Sequence, residues 1–176
     1  MTTSRRFLGV VFSVLVVVGM VGAGRPGSVS AAGGGGDDSR KGPAAASESP
    51  DYTAAVKAIK AGQFPTAIRL LEGVVGRESK NADAYNWLAY ATRRNGDPAA
   101  AIPIYEKALA IDPKHRGAHE YMGEAYLALN DLAKAKEHLA RLDSLCFLPC
   151  AEYRELKEAV QAYEKSGGKV KPTATR

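Results

Sequence analysis

The residues most able to do chemistry are two cysteines, Cys146 and Cys150, which are the only cysteines in the chain and lie four positions apart. Three kinds of chemistry fit a pair at this spacing. The side chains could form a disulfide between two pieces of structure, act as a redox-active dithiol, or supply soft ligands to a metal ion. The surrounding residues, LDSLCFLPCAEY, do not choose among these, so the compartment and the neighbouring elements must decide.

The three histidines do not suggest a metal site. His115 and His119 are four residues apart, but Asp112–Pro113 places His115 outside a helix, so the two imidazoles are not expected to share a helical face. His138 is expected to be a solvated helix residue. We therefore predict no metal ligands in this chain.

The acidic residues do not indicate catalysis. Glu120 and Glu124 lie one helical turn apart and are expected to form a solvated or ligand-facing stripe rather than a general acid and base. Four glycines begin at Gly33, but they precede no predicted strand or helix, so no phosphate-binding loop is indicated. We expect no catalytic residues, no enzyme activity and no cofactor.

The first 32 residues are organised like a secretory signal. Arg5 and Arg6 precede an uncharged stretch at 7–24, and small residues then offer a cleavage site after Ala31 or Ala32. An uncleaved membrane anchor is the alternative, because this stretch of 18 residues is near the lower limit for spanning a bilayer. We expect the mature chain to be periplasmic or secreted, and not bound to a membrane after cleavage.

Cleavage would also change the charge of the protein. The formal net charge falls from +5 to +2, because three arginines and no acidic residue lie in the signal. The remaining charges form no concentrated basic face of the kind that nucleic-acid binding needs, so nucleic acid is not an expected partner.

In an exported protein two close cysteines usually oxidise, which favours a disulfide between Cys146 and Cys150 over the redox and metal alternatives.

Composition divides the rest of the chain into three parts. Residues 33–49 are rich in Gly, Ala, Ser and Pro and contain no large apolar residue, so they are predicted to be a flexible leader. Residues 50–165 are predicted to form one structured domain. Residues 166–176 are predicted to be a disordered basic tail.

The structured part contains an internal repeat with a period of 34 residues. Its three copies span residues 48–81, 82–115 and 116–149, and within each copy apolar residues recur at helical spacing on both sides of a turn. In the second copy, Asp97 is predicted to cap the second helix and Pro98 to be its first residue. Three of the five agreeing columns hold small residues (Ala55, Ala89, Gly123), turn residues (Gly62, Gly96, Asn130) and alanines (Ala67, Ala101, Ala135).

This period and the segment AYNWLAYATRRNGDPAAAIPIYEKALAIDP resemble the tetratricopeptide repeat family. The resemblance implies an all-α fold, a short α-solenoid of three helix-turn-helix repeats. Residues 151–165 continue in register beyond the third copy, but Lys157 occupies the small-residue column, where it would block a further helix. We therefore predict a capping helix there, with Cys146 at the end of the last repeat and Cys150 just before the cap.

The resemblance further implies that the first helices of the pairs line a concave groove that holds a peptide or helix of a partner protein. Val56 and Tyr90 stand where repeats that bind chaperone C-terminal carboxylates would offer an asparagine, so that ligand class is not expected. The residues expected to bind the partner are Tyr52, Asn86, Trp87, Tyr90, Arg93, Arg94, Glu120, Tyr121 and Glu124, with Thr53 and Val56 on the same face.

Two functions of different classes follow from these features. The first is an exported adaptor that binds another protein and has no activity of its own. The alternative is a redox or metal-handling envelope protein that uses Cys146 and Cys150. The oxidation state of the two thiols and the metal content of the purified protein distinguish the two.

Overall fold

The computed structural model describes residues 49–168, which form seven α-helices and, within that range, no β-strand. The predicted signal, nearly all of the leader and the tail beyond Gly168 lie outside the described residues, so those assignments stay predictions. None of the helices in the described range is long and apolar enough to cross a bilayer. The helices are α1 (Pro50–Lys60), α2 (Phe64–Arg77), α3 (Ala82–Arg94), α4 (Pro98–Ile111), α5 (Arg116–Ala128), α6 (Leu132–Leu145) and α7 (Ala151–Lys165).

The helices pair in chain order, and each pair corresponds to one copy of the repeat. α1 packs on α2, α3 on α4 and α5 on α6, while α7 packs on both α5 and α6. The predicted fold class, an all-α solenoid of three helix-turn-helix repeats with a capping helix, is confirmed.

Local sequence explains where these helices begin and turn. The Asp97 carboxylate accepts a hydrogen bond from the Ala100 amide at 2.8 Å, and it thereby satisfies one of the free N–H groups at the start of α4. The turn residues Gly62, Gly96 and Asn130 have φ of 70°, 102° and 62°. This left-handed conformation favours glycine and tolerates asparagine, which explains why only these two residue types occupy the turn column.

Small residues set the distance between the helices of a pair. Ala55 and Ala89 are fully buried, as are the three members of the alanine column. Because these side chains are short, the paired backbones can approach closely, and larger side chains then fill the space between neighbouring pairs. The largest fully buried side chains are those of Leu71, Val74, Tyr105, Leu142 and Leu156.

Gly123, the third member of the small-residue column, leaves room for the capping helix α7 to pack against α5. Leu156 of α7 is fully buried against α5, and a Cβ added at Gly123 would lie 2.6 Å from its Cδ2 atom. Lys157 is exposed, with its ammonium 5.4 Å from the centroid of the Tyr153 ring. The helical array therefore ends on a charged surface within the described residues.

The cysteine pair lies at the junction between the last repeat and the cap. Cys146 is the C-cap of α6 and Cys150 is the N-cap of α7. Their sulfur atoms lie at bonding distance, 2.12 Å, and their Cα atoms are 5.8 Å apart, within the range that a disulfide requires. The loop between them presents Phe147 and Leu148 to solvent.

Candidate functional site

The first helices of the three pairs and the capping helix adjoin one another. α3 contacts α1 and α5, and α5 contacts α7. We call the surface that α1, α3, α5 and α7 share the first-helix face. The residues predicted to bind a partner occupy three of these helices, with Tyr52 on α1, Asn86 to Arg94 on α3, and Glu120, Tyr121 and Glu124 on α5.

Three aromatic side chains from two repeats meet on this face. The Trp87 and Tyr90 rings make an edge-to-face contact with centroids 5.6 Å apart, and Tyr90 lies 4.9 Å from Tyr121 of the next repeat. Trp87 and Tyr121 are 6.4 Å apart, so the three rings form one aromatic cluster. Each ring is half-buried, and aromatic pairs at such separations attract beyond their burial.

Tyr52 extends this cluster to α1. Burial and the negative charge of Asp83 raise the pKa of the Tyr52 hydroxyl, whereas the hydrogen-bonding indole of Trp87 lowers it. Tyr52 therefore lies beside Trp87, and the aromatic surface spans all three repeats.

The two arginines of α3 hold the rings in place. The Arg93 guanidinium lies 5.4 Å from the centroid of Tyr90 and 5.9 Å from that of Tyr121, and it pairs with Glu124 at 2.7 Å. Arg94 donates a hydrogen bond to the Tyr90 hydroxyl at 3.1 Å and stacks over Phe64 of α2. The Arg93 side chain is only 9% exposed, and its charge is paired with Glu124, but its Nε is buried with no hydrogen-bond partner among the described residues.

Glu120 differs from the solvated stripe that the sequence suggested. It is 4% exposed, because α7 packs over this part of α5. Burial, the charge of Glu124 and a hydrogen bond with Glu155 of α7 raise the pKa of Glu120 to about 9. Glu120 is therefore a neutral acid at pH 7, and the expectation of a solvated carboxylate at this position is wrong.

Asn86 is also more deeply placed than a direct contact residue would be. It is 4% exposed, and a Cβ added at Gly117 would lie 3.4 Å from its side-chain nitrogen. Asn86 thus packs against the first turn of α5. The exposed chemistry of the first-helix face comes from the aromatic cluster and the charged side chains around it.

His138 is not a solvated helix residue as expected. Its Nδ1 lies 3.0 Å from Nδ1 of His119, and its ring stacks on Tyr126 with centroids 5.6 Å apart. His119 Nε2 lies 3.1 Å from the Pro113 carbonyl, to which it donates, so His138 must donate the proton between the two Nδ1 atoms. Burial and the neighbouring His119 lower the pKa of His138 to about 4.

The sequence did not indicate this pair, because His119 and His138 lie 19 positions apart on different helices. The contact joins α5 to α6 across one repeat. Within residues 49–168, no group of three or more His, Cys, Asp or Glu side chains could hold a metal ion. The imidazoles instead form a hydrogen-bonded contact inside the third repeat.

Solved structures share this helical arrangement. The type III secretion translocator chaperone SycD of Yersinia enterocolitica superposes with a TM-score of 0.61 and 16% identity, over 68% of this chain and 84% of that chain. SycD in complex with a peptide of the translocator YopD gives 0.57 and 19% identity, over 66% and 88%. The first TPR domain of Spaghetti (RPAP3) bound to the HSP90 peptide SRMEEVD gives 0.54 and 24% identity, over 63% and 90%. At these identities the likeness concerns the fold alone.

Sequence comparison gives the family. Tetratricopeptide repeat protein 1 of Schizosaccharomyces pombe is 30% identical in an alignment of 90 residues that covers 48% of this chain and only 9% of that protein. Two sequence models of the tetratricopeptide repeat match this chain, one at residues 52–116 and the other at residues 93–160. Together they extend over more than half of the chain and over all three helix pairs. The chain belongs to the tetratricopeptide repeat family.

Proposed function

We propose that this protein is an exported adaptor that binds a peptide or helix of a partner protein on its first-helix face and has no enzymatic activity of its own. The observation that carries this proposal is the aromatic cluster of Trp87, Tyr90 and Tyr121. Two structural neighbours, SycD and RPAP3, are complexes with peptides, which supports a peptide or helix as the ligand class.

The geometry of the cluster suits recognition. Tryptophan, tyrosine and arginine are the residue types most often found at the energetic centres of protein interfaces. Arg93 lies over the Tyr90 ring and Arg94 donates a hydrogen bond to its hydroxyl, so the ring has little side-chain freedom left to lose when a ligand binds. The half-buried rings therefore offer a rigid apolar surface with polar groups around it.

We expect a variant that combines Trp87→Ala with Arg94→Glu to lose most of its peptide binding. The probes are peptides selected on the purified protein from a random library of 12-residue peptides. Loss of the indole from an interface centre should cost about 2 kcal/mol, which is roughly 30-fold in Kd, and the reversed charge should add to this loss. Titration calorimetry with the selected peptides gives the Kd.

The control is Arg69→Glu, which makes the same charge reversal at an exposed position of α2 and should leave the Kd unchanged. The urea unfolding midpoint of each variant shows whether its fold is intact. A library that yields no binder, or a folded double variant that binds as the wild type does, would contradict the proposed function.

Export and the disulfide are the second part of the proposal. The basic, apolar and small-residue order of residues 1–32 supports export, and the Cα separation of 5.8 Å supports a bond between Cys146 and Cys150. This bond would hold the start of α7 to the end of α6. We expect its contribution to stability to be about 1–2 kcal/mol, because the loop that it closes is short.

Protein recovered after export should begin near Ala32 or Gly33 and contain no free thiol under non-reducing conditions. Replacing Cys146 and Cys150 with serine should lower the melting temperature by several degrees and leave helix content by circular dichroism unchanged. N-terminal sequencing and thiol titration test the two parts separately. An intact N-terminus in the membrane fraction would establish an anchor, and two free thiols would favour the redox or metal alternative.

A further inference from the structure

One buried hydroxyl distinguishes the second repeat from the other two. Leu71, Tyr105 and Leu139 occupy the same column of the repeat, and of these three side chains only that of Tyr105 carries a polar atom. Tyr105 is fully buried, and its hydroxyl has no hydrogen-bond partner among the described residues. A buried hydroxyl without a partner is unfavourable compared with an apolar side chain of similar shape, so a neighbouring group should account for its presence.

The neighbour of this hydroxyl is the guanidinium of Arg93. Burial raises the pKa of Tyr105, whereas the positive charge of Arg93 and its hydrogen-bonding N–H groups lower it. Arg93 Nε is likewise buried with no hydrogen-bond partner among residues 49–168. An N–H that lacks an acceptor and a hydroxyl oxygen that lacks a donor complement each other, and a small rotation of the guanidinium would join them.

The other contacts of Arg93 are with residues of the first-helix face. Its guanidinium lies 5.4 Å from the ring centroid of Tyr90 and 5.9 Å from that of Tyr121, and it pairs with Glu124 at 2.7 Å. Tyr105 belongs to α4, which packs against both α3 and α5. The guanidinium can therefore be held from α4 by a hydroxyl in the core and from α5 by a carboxylate.

We infer that Tyr105 is a positioning residue of the first-helix face, because its hydroxyl accepts a hydrogen bond from Arg93 Nε and so fixes the guanidinium against the two tyrosine rings. Tyr105 has no exposed surface, so it acts through Arg93 and does not touch the ligand. The consequence for binding rests on the proposed function, whereas the effect on the rings is a property of the free protein. Rings that are fixed in this way have less freedom to lose when a peptide binds.

The substitution Tyr105→Phe tests this role, because it removes the hydroxyl and keeps the ring. Trp87 is the only tryptophan in the chain and lies in the aromatic cluster, so its near-ultraviolet circular dichroism reports the arrangement of the rings in the free protein. We expect Tyr105→Phe to change this signal and to weaken binding of the library-selected peptides by about two- to tenfold. A residue that served only the packing of the core would change the urea unfolding midpoint and neither of these measurements.

A double-mutant cycle shows whether Tyr105 acts through Arg93. In a variant that already carries Arg93→Met, the further change Tyr105→Phe should alter neither the Trp87 signal nor the Kd. The matched control is Tyr126→Phe, which removes a hydroxyl from another buried tyrosine, one that stacks on His138. It should leave both measurements as in the wild type.

An unchanged Trp87 signal in Tyr105→Phe would overturn the inference and leave the proposed function standing. Equal effects of Tyr105→Phe in the presence and in the absence of Arg93 would also overturn it, since the hydroxyl would then act by another route. A changed Trp87 signal with an unchanged Kd would overturn the consequence for binding. A library that yields no binder would contradict the proposed function, and the Trp87 signal of the free protein would still decide the role of Tyr105.

Discussion

Replacing Glu120 with glutamine should stabilise the folded protein at pH 7 by about 2–3 kcal/mol in the free energy of unfolding. Glutamine has nearly the shape of the neutral acid and can still donate a hydrogen bond to Glu155. Glutamine cannot ionise, so the side chain no longer has to bind a proton in order to be buried at pH 7. Replacing an ionisable residue at the α5–α7 contact with a neutral one would then strengthen the fold.

The expected pH dependence follows from the two pKa values. In the unfolded chain Glu120 ionises near its ordinary value of 4.5, whereas in the folded protein it keeps its proton up to about pH 9. Between these values the folded state binds the extra proton, so its stability falls as pH rises. Each pH unit costs at most about 1.4 kcal/mol, and the difference between Glu120→Gln and wild type should therefore grow from pH 5 to pH 9.

Urea unfolding between pH 7 and pH 9 is the cleanest measurement. In this window His119 and His138, whose pKa values are lowered by burial, are largely neutral in both states. The matched control is Glu72→Gln, which makes the same substitution at an exposed position of α2. It should change the free energy of unfolding by no more than about 0.5 kcal/mol and leave its pH dependence as in the wild type. A loss of stability in Glu120→Gln, or an unchanged pH dependence, would contradict the raised pKa.

Replacing Gly123 with alanine should loosen the capping helix and cost about 1–3 kcal/mol of stability. The new Cβ would lie 2.6 Å from Cδ2 and 2.8 Å from Cδ1 of Leu156. Leu156 is fully buried, so it cannot turn aside without disturbing its neighbours. Urea unfolding gives the cost, and hydrogen exchange of the α7 amides shows whether the loss is local.

A double-mutant cycle tests the contact itself. Leu156→Ala alone leaves a cavity and should cost about 2–5 kcal/mol, but it also makes room for the methyl group at position 123. The double variant should therefore lose less stability than the sum of the single variants. Gly76→Ala is the control, since nothing lies within 4 Å of its Cβ position and alanine should stabilise α2 by about 0.5–1 kcal/mol. Additive losses would show that Gly123 and Leu156 do not constrain each other.

The sequence predicts the helix pairs well because each repeat uses the same local devices. A short side chain recurs wherever paired backbones approach, as at Ala55 and Ala89, and a left-handed turn residue separates the helices of each pair. Asp97 and Pro98 mark the start of α4 as predicted. These features depend on residues that are close in the sequence. They recur at a fixed spacing, so the sequence alone predicts them.

The charge states of the site could not be predicted in this way. Glu120 is neutral because Glu155 and the rest of α7 cover it, and no copy of the repeat encodes that contact. His138 is half-buried because His119 approaches it from the partner helix. Arg93 was expected to bind a ligand, yet Glu124 from the next repeat already pairs with it. Each outcome depends on a contact with a side chain from another helix, and the repeat period does not predict such contacts.

The aromatic cluster has a consequence for how the solenoid holds together. The buried core consists of two groups of residues, one mainly within α1, α2 and part of α3, and the other extending from α3 to α7. Trp87 and Tyr90 pack against the first group, and Tyr121 packs against the second. In a linear array, each unit gains stability from its neighbours alone, so the two groups can open separately. A ligand that lies across these rings would contact both groups, and binding would couple their opening into a single cooperative transition.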